Sequence, residues 1–258
     1  MPEADDSLRQ LVNGAGYFFQ ERLREEVEQT YPQHGWRVAV EEHRWCADNS
    51  SEGFIDLVLG KGNWRIVIEA KRTRNASWVF LVSKLTNRSQ ARARCLWTRR
   101  TAVEPAQQQA GWGDFQVFPY SPEAKFCVIR GQGDRDQPML ERLGGILLRS
   151  VESLAEEELR LGTPSPYGDR RLYFPLIVTN SQMYACFYDP EKVDLRSGEL
   201  PEGDFEPIHF IRFRKGLSTA MPVPDETASL EEANRAKERT IFVVEGASIG
   251  EILRGWDM

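Results

Sequence analysis

Residues 53–71, GFIDLVLGKGNWRIVIEAK, constrain the fold of this chain more than any other stretch. Two apolar runs, FIDLVLG and NWRIVIEAK, flank Gly60-Lys61-Gly62, the pattern of two antiparallel strands joined by a tight turn. A two-residue turn at Lys61-Gly62 sets position 60 opposite 63 and position 56 opposite 67. Side chains alternate along a strand, and opposed residues share a face. One face then carries Phe54, Asp56, Val58, Val67, Glu69 and Lys71, and the other Ile55, Leu57, Leu59, Ile66, Ile68 and Ala70. The second face is wholly apolar and has to be buried. The first gathers two carboxylates and an ammonium, with Glu69 diagonal to Asp56. A three-residue turn would shift the register by one and separate them.

Two carboxylates at this range repel each other unless a cation sits between them. A hard divalent ion, Mg²⁺ or Mn²⁺, answers that need with a few carboxylate oxygens and several waters kept for substrate. Such an ion activates water and neutralises charge on a phosphoryl oxygen. Lys71, two residues past Glu69, points to the same side and is placed to orient the attacking water or stabilise developing phosphorane charge. Whether Lys71 also takes a proton is left open by the residues alone.

The rest of the chain reads as mixed α/β. Residues 7–31 predict one helix from Leu8, Leu11, Val12, Phe18, Phe19, Leu23 and Val27, ended by Pro32 and Gly35. Trp36–Trp45 alternates as a strand. Residues 72–122 read as irregular, with a helix near 77–99 and a Gln/Gly/Pro-rich loop after it, and 125–130 as a strand. A long helix is expected over about 136–161. Strands follow at 172–179 and 183–188 around Asn180-Ser181-Gln182, then at 207–214 and 240–245. Residues 216–238 are polar, and 249–256 predict a last short helix. No Gly-rich phosphate loop followed by Lys-Ser/Thr is present, which argues against an ATPase.

A length of 258 residues suits one elaborated domain, or a core with a sizeable addition. No apolar run reaches the ~18 residues of a membrane span, and MPEADDSLRQ lacks the basic end and apolar centre of a signal peptide. A cytoplasmic protein without a membrane partner is therefore expected. Cys46, Cys95, Cys127 and Cys186 show neither a disulfide framework nor zinc spacing, and His34, His43 and His209 form no ligand pattern. The net charge of −6 hides an asymmetry. From Lys71 to Arg100 there are nine basic residues and no acidic one, a local field able to bind phosphate. Arg72, Arg74, Lys84, Arg88, Arg92 and Arg94 are the expected nucleic-acid contacts. Trp78 and Trp97 are expected in the core rather than stacked on bases.

The order helix, strand, Asp-bearing strand, then Glu-x-Lys strand resembles the PD-(D/E)XK nuclease superfamily, the restriction-endonuclease-like fold. Asp56 matches the motif aspartate and Glu69-Ala70-Lys71 the D/E-x-K element, while Ile55 replaces the motif proline. The long helix and YFPLIVTNS after it are similar to the helix and fourth core strand of Mrr-type enzymes. The resemblance implies a central mixed β-sheet flanked by helices over residues 1–180, with a basic insertion around 72–134, and a β-rich C-terminal extension over 181–258. It implies Mg²⁺-dependent phosphodiester hydrolysis, with Mn²⁺ as a substitute and DNA favoured over RNA. The superfamily's habits also suggest defence against foreign DNA. Asp56 and Glu69 would hold the metal, the Ala70 carbonyl would add a ligand, and Lys71 would serve the water or the transition state. Many members add a glutamate from the first helix. Glu21 is favoured here over Glu25 and Glu28, although Gln20 holds the place directly after the aromatic. Gln90 is a further residue that would assist metal or water. Cutting both strands of a duplex needs two sites, which implies a homodimer or a protein partner. The alternative is a nuclease-fold subunit that binds nucleic acid or docks a partner without cleaving.

Overall fold

The two strands of the Phe54–Lys71 segment pair as their alternation predicts, but around a different turn. The structure, a computed structural model, describes residues 2–47, 52–73, 76–85, 91–100, 108–131, 138–161, 169–217 and 229–257. β2 (Glu52–Lys61) and β3 (Trp64–Lys71) pair antiparallel, from Leu57–Ile68 through Val58–Val67 to Lys61–Trp64. The turn is Gly62-Asn63 rather than Lys61-Gly62, so position 60 opposes 65 instead of 63, and Val58 instead of Asp56 opposes Val67. The cause lies in Gly62, whose φ is +56. A turn matched to the strand twist needs a positive φ, and glycine takes it without steric cost. The opposed positions move by an even number, so the face assignment survives along the paired stretch Leu57–Ile68, though not at Ile55.

The hairpin opens a nine-stranded mixed sheet. Its path runs from β1 (Arg37–Cys46) through β2 and β3 to β9 (Asp169–Thr179), β13 (Glu238–Glu245), β12 (Phe210–Gly216) and β7 (Glu123–Ala124). β5 (Arg92–Arg100) branches antiparallel from β9 and carries β6 (Gln108–Gln116). Strands β3, β9 and β13 are mutually parallel, and each has buried apolar side chains on both faces, as parallel strands between two layers must. A second, four-stranded sheet has the order β11 (Asp204–Ile208), β10 (Gln182–Tyr188), β4 (Ser77–Ser83), β8 (Phe126–Ile129).

Helices cover both faces. α3 (Met139–Arg160) confirms the helix expected over about 136–161. Leu140, Leu143, Leu147, Leu148, Val151, Leu154 and Ala155 form its buried stripe and join Val58, Val67, Tyr173, Ile177 and Ile241 in one core, which the second sheet closes with Trp78, Phe80 and Phe187. On the other face, α2 (Tyr17–His34) supplies Leu23 and Val27, and α5 (Ile249–Gly255) supplies Ile249 and Leu253. They pack with Leu57, Leu59, Ile66, Ile68, Phe174, Phe242 and Trp256. The shorter α4 (Leu230–Ala236) starts from Ser229, whose hydroxyl accepts from the Glu232 amide. Among the described residues no helix is long and apolar enough to cross a membrane.

Four expectations are corrected. The single helix over 7–31 is two, α1 (Pro2–Gly14) and α2, broken at Gly16, which has φ +82. The helix near 77–99 is replaced by β4 and β5. Trp78, Phe80 and Val82 are buried while Val79 and Leu81 are only half-buried, a period of two that pairing with β10 and β8 enforces. The stretch read as a Gln/Gly/Pro-rich loop contains β6. The strand expected at 207–214 divides at His209 into β11, in the second sheet, and β12, in the first.

Candidate active site

Asp56 lies where the hairpin comes apart. The β2–β3 ladder ends at Leu57–Ile68; β2 then follows β1, and β3 follows β9 to the pair Lys71–Thr179. The Asp56 carboxylate fills the gap, with Oδ2 accepting the Ala70 backbone N–H at 2.6 Å. Extending the register one step past the last pair would bring Glu69 across from Asp56 rather than diagonal to it, and the two carboxylates are near enough for the Asp56 charge to act on Glu69. Strict alternation fails here: Ile55 is buried in the same core as Val58 and Val67 instead of with Leu57 and Leu59. The change falls where β2 loses β3 as a partner and the Asp56 side chain takes the Ala70 amide in place of a ladder bond. Asp56, Glu69, Ala70 and Lys71 are all half-buried. Lys71 makes no hydrogen bond or ion pair among the described residues, and its charge acts on both carboxylates.

Helix α2 reaches this point through Gln20, not Glu21. Gln20 is buried, and its Nε2 donates to the Asp56 carbonyl at 3.2 Å. Glu21 is drawn instead to Arg24, at 3.5 Å, which also holds Glu25 at 2.5 Å and Glu41 at 3.8 Å. Glu28 accepts the Val38 N–H at 3.0 Å. The sequence reading missed Glu42. It lies in β1 between the pairs Glu41–Leu57 and His43–Ile55, hence across from Asp56, and its charge bears on Asp56. Among the described residues it is the one non-glycine with a positive φ, +46. Such conformations are costly for a side-chain-bearing residue and concentrate at functional sites. The available signal was the acidic pair Glu41-Glu42, which interrupts the alternation of β1.

The basic stretch is not gathered at this site. Arg72 stands next to Lys71 and is half-buried. Lys84, at the far end of β4, pairs with Asp204, and Arg94 pairs with Asp114 at 2.8 Å across the β5–β6 ladder. Arg92 is exposed beside a charged cavity that also involves Asp114, Glu123 and Arg214. Arg74, Arg88 and Gln90 lie outside the described residues. Trp78 is fully buried and Trp97 packs against the core.

The electrostatics of the two carboxylates are unfavourable as they stand. Burial pushes Glu69 up to about 7; the neighbouring Asp56 charge adds to this and Lys71 opposes it. Asp56 is also raised, chiefly by burial, with the Ala70 N–H pulling it down, Glu42 pushing it up and Lys71 pulling it down. Among the described residues, no three His, Cys, Asp or Glu side chains converge as a ready-made metal cage. Two facing, half-buried carboxylates still fit Mg²⁺, which takes one or two carboxylates and keeps several waters, unlike ions that require a full protein cage.

A raised carboxylate favours the folded state while protonated, and that advantage is lost as pH rises through its folded value. Metal-free protein should therefore lose stability between about pH 4.5 and pH 7 through Glu69. Glu69→Gln removes this dependence and should stabilise the chain at pH 8 by about 2–4 kcal/mol. Thermal unfolding in chelator at pH 5 and pH 8 checks it: the variant's advantage appears at pH 8 and vanishes at pH 5. Mg²⁺ should then stabilise wild type at pH 8 but not the variant.

No protein-family model matches this chain, and neither a curated protein nor a solved structure matches it.

Proposed function

We propose that this chain is a divalent-metal-dependent nuclease of the PD-(D/E)XK type, with a restriction-endonuclease-like sheet, acting on DNA. The observation that carries this is the seating of Asp56 on the Ala70 amide, at a splayed strand end, between Glu69 and Lys71, whose charges both act on the site. Asp56 and Glu69 hold Mg²⁺ or Mn²⁺, with the Ala70 carbonyl as a further ligand. When bound, the ion supplies Lewis-acid chemistry and neutralises phosphoryl charge. Lys71 donates hydrogen bonds to the attacking water and to the phosphoryl oxygens, where negative charge grows in the transition state. Arg72, one residue on, contacts the substrate backbone.

A second reading is favoured by one observation. Leu8, Leu11 and Val12 of α1 are 58%, 73% and 46% exposed, an apolar stripe that no element among the described residues covers. A nuclease-fold subunit that docks a partner through α1 without cleaving accounts for that stripe. Cleavage of linear, circular and single-stranded DNA, with Mg²⁺, Mn²⁺ or chelator, separates the two. The nuclease cuts at least one of these with metal and none in chelator. A chain inert on all of them leaves the docking reading.

A further inference from the structure

β3 and β9 run parallel and end side by side at Lys71 and Thr179. Both strands then pass into the second sheet, where β4 and β10 are again parallel neighbours, starting at Ser77–Gln182. The site lysine therefore stands at a corner that two chain crossings share. The crossing from β9 is only Asn180-Ser181, and it grips the crossing from β3. The Thr73 backbone N–H donates to Asn180 Oδ1 at 2.7 Å. The Thr73 and Ser181 hydroxyls bond each other, and the Ser181 N–H donates to Thr179 Oγ1 at 3.2 Å.

Past Lys71, where β3 ends, the chain has no ladder partner among the described residues, so no strand pairing there fixes the Thr73 amide. A lysine on a strand's last residue, with four rotatable side-chain bonds, depends on its backbone for aim. Misplacing a reacting group by about 1 Å can cost ~10²-fold in rate. Thr179 and Ser181 are buried and anchor the corner, whereas Asn180 is exposed and packs in no core. Its visible contribution is the bond to Thr73.

We propose that Asn180 is a positioning residue for Lys71: by capturing the Thr73 amide, its side-chain oxygen fixes the exit of β3 and the direction in which Lys71 and Arg72 meet a nucleic-acid phosphate. This rests on the nuclease reading of the site. Asn180 touches neither carboxylate, so it acts through the backbone and leaves metal binding alone.

The test compares wild type, Asn180→Ala and Asn180→Asp in Mg²⁺-dependent cleavage of a duplex oligonucleotide, with Mn²⁺ affinity and thermal unfolding measured alongside. Asn180→Ala should lower kcat about tenfold. Its KM, Mn²⁺ affinity and melting temperature should stay near wild type. Asn180→Asp keeps the acceptor and should recover kcat to within about threefold. Unchanged kcat in Asn180→Ala, with wild type active, overturns the positioning role alone. So does a joint fall of kcat, KM and melting temperature that Asn180→Asp does not rescue. A wild type inert in the assay overturns the nuclease reading and this inference with it.

Discussion

Asp56→Asn should lower Mg²⁺-dependent cleavage by ~10³-fold or more, a barrier increase of about 4 kcal/mol, while the chain stays folded. Asparagine keeps a carbonyl oxygen for the Ala70 N–H, so the bond that closes the splayed hairpin survives. It loses the charge that a divalent ion requires. The charge is also the costly part of the side chain in the metal-free protein, since burial already raises Asp56 and Glu42 faces it. The variant should thus melt no lower than wild type in chelator. It should also relieve Glu69, which the Asp56 charge pushes up. Calorimetric titration with Mn²⁺ and a cleavage time course together check this. Wild-type cleavage by a stably folded Asp56→Asn removes Asp56 from the metal site.

Lys71→Ala should fail differently. Its ammonium makes no hydrogen bond or ion pair among the described residues, so its removal breaks no such bond and leaves no buried donor unpaired. The loss falls on the transition state: ~10²–10³-fold in kcat, the range seen when one preorganised donor to a developing oxyanion is removed. Metal binding persists, with its pH dependence displaced. Lys71 opposes the upward push on both carboxylates, so without it they ionise at higher pH and metal loading moves the same way. Mn²⁺ affinity measured from pH 6 to pH 9 reads this displacement. A kcat that falls only in step with lost metal would make Lys71 a support for the carboxylates and nothing more.

The hairpin was legible because its apolar faces repeat with period two over both runs. Its register was not, because the turn depends on which of Lys61, Gly62 and Asn63 begins it, and backbone strain settled that on Gly62. The splay at Asp56 was equally invisible. Alternation describes a strand that keeps its partner, and β2 gives up β3 there in favour of β1. β6 escaped notice because Gly111 and Gly113 weaken any strand signal. At Gly113 a Cβ would come within 3.2 Å of the Phe115 ring, tighter than ordinary contact, while at Gly111 it would meet Trp97 at an ordinary 3.5 Å. The basic run looked like a phosphate-binding field because its local sequence holds no acid. Its counter-charges, Asp114 for Arg94 and Asp204 for Lys84, arrive from 20 and 120 residues away. Glu42 and Gln20 meet Asp56 only through sheet pairing and helix packing, which no spacing within the motif encodes.

Nicking of supercoiled plasmid by wild type and Lys71→Ala, side by side in Mg²⁺ and in chelator, tests the assignment of Asp56, Glu69 and Lys71 most directly. Wild type should convert supercoiled plasmid to open circle in Mg²⁺ only, and Lys71→Ala should leave it supercoiled over the same period. Equal nicking by the two proteins, or nicking that persists in chelator, would contradict it.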